Sequence, residues 1–145
     1  MSEFIDTDAP VVSRAEIAIA APPEQVWTVL TAFDRWPTWN PEVKAMSVQE
    51  PIVVGSTFRW KAGPGTVTST IRHLEPLRVI AWSGRTMGIR AIDVFRLDAH
   101  NGRTLVREEE SWNGLVARLL RRPLQHTLDR SLENGLRNLK AAAEQ

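Results

Sequence analysis

Four side chains could handle a proton in an otherwise apolar setting: Ser69, His73, Asp93 and Glu110. Each lies in a run whose side chains alternate, so its neighbours two residues away share its face. Asp93 falls on the face of Phe95 and Leu97. Glu110 shares a side with Val106, Glu108 and Trp112, while Ser69 and His73 share one with Val67 and Ile71. A carboxyl on an apolar face is reluctant to ionise, which suits a general acid or base or a group that orients a ligand. Asp93 and Glu110 are therefore the candidate catalytic residues. The structural alternative is a carboxyl satisfied by Arg or Trp donors.

Other chemistries find little support. The chain has no cysteine, so disulfides, thiolate metal sites and cysteine nucleophiles are excluded. His73, His100 and His126 show no metal-ligand spacing, and no metal is expected. The run Gly63-Pro64-Gly65-Thr66 lacks the lysine of a phosphate loop, and no GxGxxG occurs, so no cofactor is expected. Ser69, His73 and Asp93 could be drawn as a triad, but no nucleophile-elbow motif accompanies them.

The elements that must carry these residues follow from periodicity. Residues 11–20 alternate and read as a strand. Pro22 and Pro23 open a helix, and Val26, Leu30 and Phe33 at i, i+4 and i+7 give it one buried face. The segment FDRWPTWNPEVK reads as a loop, with Pro37 and Pro41 stopping the helix and holding the chain extended. Six strands are expected at 43–48, 57–61, 66–74, 79–83, 89–97 and 104–112. Turn signals separate them, of which Asn101-Gly102 is the strongest. A short helical piece at 115–120 should stop at Pro123. Leu124, Leu128, Leu132, Leu136 and Leu139 then mark a long helix, in which Gly135 would signal close packing or a kink. The fold class is α+β, a curved antiparallel sheet against one long C-terminal helix.

Bulk properties agree with a soluble globular chain of one domain, residues 11–145, preceded by a flexible segment at 1–10. There are 145 residues, 43% hydrophobic and 24% charged, as such domains have. Net charge is +1, so no global field draws polyanions. Glu108, Glu109 and Glu110 read as a solvated run, as does the basic stretch of Arg118, Arg121, Arg122, His126 and Arg130. That stretch lacks interleaved aromatics, so nucleic acid is not an expected partner; a regulatory contact through it is the lesser expectation. Neither a signal peptide nor a run of ~20 apolar residues is visible, so a cytoplasmic location without stable membrane insertion is expected.

Three segments resemble a known family: APPEQVWTVLTAFDRWPTWNPEV, LEPLRVIAWSGRTMG and GRTLVREEESWNGLVARLL. They are similar to the START-like (SRPBCC) superfamily, in its polyketide cyclase/dehydrase-like branch. The resemblance implies a helix-grip fold: seven curved antiparallel strands around a long C-terminal helix, with two short helices between strands 1 and 2. It further implies an internal cavity for a small hydrophobic ligand that is lipid-, polyketide- or aromatic-like. The expected lining is Trp36, Trp39, Phe58, Trp60, Ser69, Ile71, Ile80, Trp82, Asp93, Phe95, Trp112, Leu128 and Leu132. The chain departs from many relatives in reading IDVF, with Asp93 where a histidine is common. A carrier or sensor, monomeric or homodimeric, is the first expectation. A cofactor-independent cyclase or dehydratase using cavity acid and base groups is the second.

Overall fold

The computed structural model describes residues 4–145. Seven antiparallel strands form one sheet: β1 (Val11–Ile19), β2 (Val43–Val48), β3 (Thr57–Ala62), β4 (Gly65–Glu75), β5 (Val79–Thr86), β6 (Ile89–His100) and β7 (Arg103–Asn113). Their spatial order is β1-β7-β6-β5-β4-β3-β2, a meander closed back by β1. The helix α1 (Pro23–Thr31), a 3-10 turn (Phe33–Arg35) and the helical turn α2 (Trp36–Trp39) join β1 to β2. After β7 come α3 (Leu115–Leu119) and the long α4 (Arg121–Ala143). This is the helix-grip arrangement.

Local chemistry explains the boundaries. Asn101 (φ 52°) and Gly102 (φ 78°) make the two-residue β6–β7 turn with both central residues left-handed, as that turn requires. Met87 and Gly88 do the same between β5 and β6. β5 therefore runs on to Thr86, where the sequence suggests a turn from Gly84. Pro37 does not extend the tryptophan segment as expected; it sits in the first turn of α2, where its fixed φ suits a helix and its missing N–H costs nothing. Likewise Pro123 does not stop a helix but lies in the first turn of α4.

The long helix buries Leu128, Leu132, Leu136 and Leu139, each at most 2% exposed. Each such side chain contributes about 1.5–3 kcal/mol by leaving water. Helix α4 also covers the free edge of β1. The Gln125 side chain donates to Val12 O (2.8 Å) and accepts from Val12 N–H (3.3 Å), so one amide satisfies backbone groups that an edge strand leaves open. Ser13 Oγ donates to Asp129 beside it at 2.6 Å.

The outer face of the sheet is covered in part by residues 4–10, which sequence alone presents as a flexible tail. Ile5 is buried with Ala81 and Val94. Asp6 accepts from Asn113 Nδ2 and donates its own N–H to Ser111 Oγ. Phe4 packs on His73, ring centroids 4.7 Å apart. That contact shows a change of phase in β4. A register shift between Ile71 and His73 leaves Ile71 in the inner core and turns His73 outward, toward Glu75. A bulge has this effect because one extra residue exchanges the two faces.

Candidate functional site

Between the inner face of the sheet and α4 lies a cavity of ≈ 570 Å³. Its size and mainly apolar wall are those of small-molecule sites. Five of the six tryptophans line it: Trp36, Trp39, Trp60, Trp82 and Trp112. Ser69, Asp93 and Phe95 line it too, so eight of the expected lining residues meet there. Phe58, Ile71 and Ile80 instead pack in the core. Leu128 and Leu132 pack with Val11 and Ala117, so these five support the wall without forming it.

Trp36 is the hub of the inner wall. Its Nε1–H donates to Leu30 O at 2.8 Å, satisfying a carbonyl at the end of α1 that the helix leaves open. Its ring lies 5.0 Å from Phe33, 5.9 Å from Trp60 and 5.5 Å from Trp82, within the range of favourable aromatic pairs. Phe33 stacks on Phe58 at 4.6 Å. Trp60 Nε1–H donates to Ser69 Oγ at 3.2 Å, which gives that buried hydroxyl a structural partner. Trp39 differs: its Nε1 is buried and has no hydrogen-bond partner among the described residues.

Two glycines shape the space in opposite ways. A Cβ at Gly84 would meet Ser69 Oγ and Val67 Cγ1 at 3.0 Å, so a side chain there would force both neighbours to give way. A Cβ at Gly135 would meet nothing within 4 Å, and this residue lines the cavity. It widens the space beside α4 and does not serve close packing.

Against this apolar wall stand three carboxyls. Asp93 on β6 pairs across the sheet with Glu110 on β7, and Phe95 pairs with Glu108. Oxygens of Asp93, Glu108 and Glu110 all lie within 4.8 Å of one another. Asp93 and Glu108 are buried, 8% and 6% exposed, while Glu110 is half-buried. The acidic run 108–110, solvated on the sequence reading, is thus split by strand alternation. Glu109 points outward to Arg14 (2.8 Å) and Arg96 (2.7 Å), and its neighbours point into the cavity.

The electrostatic consequence is strong. Burial pushes the Asp93 carboxyl well above the ordinary range, and the neighbouring Glu108 charge pushes it further. Burial likewise raises Glu108, opposed by a hydrogen bond with Asp93 and reinforced by the charges of Glu110 and Glu42. It raises Glu110 too, with Asp93 adding to the effect, against a lowering contribution from the Trp112 indole that donates to Glu110 Oε2 at 2.7 Å. No ion pair joins any of the three to a cation among the described residues. The cluster therefore keeps protons that isolated carboxyls would lose, and its members share them. Asp93 Oδ1 is buried without a partner among the described residues.

Of the candidates from sequence, Asp93 and Glu110 come together here, Ser69 sits nearby in the wall, and His73 lies on the other face. Glu108 joins them without having been a candidate, although its place two residues before Glu110 puts it on the same side. Histidine spacing offers no reason to expect a metal. The structure instead assembles an oxygen-only donor set, the kind hard cations such as Ca²⁺ or Mg²⁺ accept, from these three carboxyls.

Helix, grip and cavity define a class of protein built to enclose a small molecule. Residues 10–144 match the family described as polyketide cyclase / dehydrase and lipid transport, and the chain belongs to that family. Similar solved structures share the fold at low identity. A hypothetical protein of Helicobacter pylori matches with a TM-score of 0.83 and 14% identity, over 97% of this chain and 92% of that one. A Thermus thermophilus protein gives 0.79 and 20%, over 91% and 96%. The Zhui aromatase/cyclase of Streptomyces sp. R1128 gives 0.77 and 18%, over 92% and 93%. No curated protein matches the chain in sequence. Among the described residues no helix is long and apolar enough to cross a membrane.

Proposed function

We propose that the protein encloses a hydrophobic, carbonyl-bearing small molecule and moves protons on it, as a cofactor-independent cyclase or dehydratase. The observation that carries this reading is the buried cluster of Asp93, Glu108 and Glu110 facing an otherwise apolar cavity. Buried carboxyls without cationic partners are costly, and a passive container gains nothing from three of them. A cluster that holds both ionised and protonated members offers a base and an acid side by side.

In a dehydration, one carboxylate takes the proton from the carbon next to the carbonyl. A neighbouring carboxylic acid gives its proton to the departing hydroxyl, which leaves as water while the double bond forms. The cluster ends with the proton count it began with. Ring closure runs similarly: the carbanion attacks a second carbonyl and the acid protonates the new alkoxide. The tryptophan walls would hold the reacting atoms together, an effect that contributes several kcal/mol to lowering a barrier. The family and the likeness in fold to an aromatase/cyclase agree with this reading.

The test uses 4-hydroxy-4-phenylbutan-2-one, whose loss of water yields a conjugated enone followed by ultraviolet absorbance. The wild type should accelerate the loss, and Asp93→Asn should slow it by about 100-fold or more, as loss of general acid–base catalysis does. Affinity for the probe should stay within a few-fold. If the probe binds but is turned over no faster than in buffer, or if Asp93→Asn keeps full activity, the catalytic reading fails. A carrier or sensor of hydrophobic molecules is then the better account.

A further inference from the structure

The mouth of the cavity carries an exposed apolar patch. Leu115, Leu119 and Leu120 are 69%, 72% and 49% exposed, and Met87 is 62% exposed. Scattered single exposures need no explanation, but a contiguous group does. Leu115 and Leu119 stand one turn apart on α3, so they share a face. The β5–β6 turn abuts them: a Cβ on Gly114 would lie 2.4 Å from Gly88 O, and one on Gly88 would lie 2.8 Å from Val116 Cγ2. Met87, Val116, Leu120 and Leu124 also line the cavity. Met87 and Leu120 thus belong both to the exposed patch and to the cavity lining.

Basic residues flank the patch. Arg118, Arg121 and Arg122 are exposed beside the leucines, and Arg85 and Arg90 flank the Met87 turn. No acidic residue occurs from 83 to 92 or from 114 to 128. We propose that this surface, α3 with the Met87 turn, docks the protein on an anionic lipid bilayer, with the leucines and Met87 dipping among the lipids and the arginines meeting their headgroups. Apolar side chains combined with adjacent cations are what interfacial binding uses. A second copy is a poor occupant, because pairing the patch with itself would set two arginine clusters against each other. A bilayer also presents to the open mouth the apolar phase from which a hydrophobic ligand would come. Docking is a property of the surface and does not rest on the chemistry proposed for the carboxyls.

Sedimentation with vesicles tests the proposal. Vesicles of phosphatidylcholine containing about 30% phosphatidylserine should bring down the protein, and pure phosphatidylcholine vesicles should bring down much less. Leu115→Ser with Leu119→Ser should weaken binding about ten-fold or more, with thermal unfolding unchanged because both side chains are already in solvent. Arg118→Glu with Arg122→Glu should abolish the preference for anionic vesicles. The proposal is overturned if the leucine variant binds as the wild type does, or if anionic vesicles at low salt retain no protein. It is equally overturned if poly-glutamate binds the patch and vesicles do not, which would indicate an acidic protein partner. Dimerisation abolished by the leucine substitutions, without vesicle binding, would indicate a second copy.

Discussion

Replacing Glu108 by Gln removes one ionisable group from the carboxyl cluster while keeping its size. Two unit charges no farther apart than 4.8 Å repel by at least roughly 3.5 kcal/mol at an effective dielectric of about 20. In the wild type this repulsion and burial keep protons on Asp93, Glu108 and Glu110. The unfolded chain loses its carboxyl protons near about pH 4. Above that pH the folded protein holds more protons on these groups than the unfolded chain does, so raising the pH destabilises it through them. Their contribution is complete at about pH 4 and is lost as pH rises toward their elevated folded values. The substitution removes one participant and relieves the other two. The stability of Glu108→Gln minus that of wild type should therefore grow between about pH 5 and pH 8, by an amount on the order of one pairwise repulsion, ~3 kcal/mol. Urea titrations at the two pH values measure this. With a slope of about 2 kcal/mol/M, the difference is a relative midpoint shift of about 1.5 M. Using the difference cancels opposing groups such as Glu75 and Glu144, whose carboxyls are held below the ordinary range by His73 and Lys140. A difference that is the same at both pH values, or one that shrinks as pH rises, would refute the account of the cluster.

Two further substitutions probe the frame. Trp36→Ala should cost about 3–5 kcal/mol, as large aromatic truncations do. Trp36→Phe should still cost about 1–3 kcal/mol, because Leu30 O is left without its donor; a Phe variant as stable as wild type in urea would show that the bond matters little. Gly114→Ala places a Cβ 2.4 Å from Gly88 O at φ 111°. The backbone conformation alone costs about 1–3 kcal/mol, and since the obstructing atom is itself backbone, the melting temperature should fall by several degrees or more.

Much of the fold is legible in the sequence because its signals are local. Alternation marks the strands, Asn101-Gly102 marks a hairpin, and leucine spacing marks α4. Reading fails where one residue type permits two conformations. Pro37 and Pro123 read as stops, yet proline is equally at home in a first helical turn. The face of His73 is lost because a bulge leaves no trace in residue types. For the site, alternation places Asp93 and Glu110 toward the interior, and both line the cavity. Their meeting depends on β6–β7 register, which residue spacing in either strand alone does not determine. Glu108 is hidden by its setting among three consecutive glutamates, where charge suggests solvent and only alternation argues otherwise. The separation of wall from core lies beyond periodicity, since Ile80 and Trp82 occupy equivalent faces but only Trp82 reaches the cavity.

The distribution of indoles has an optical consequence. Trp27 is the sole tryptophan that does not line the cavity, so the intrinsic fluorescence of the chain is weighted toward its interior. Trp36, Trp60 and Trp82 sit close enough to exchange excitation, and Trp112 emits beside the Glu110 carboxyl, whose protonated form is the one that quenches an indole. Occupancy of the cavity and protonation of the cluster should each write a separate signature into the emission spectrum. The unlabelled protein can thus report on its own contents and charge.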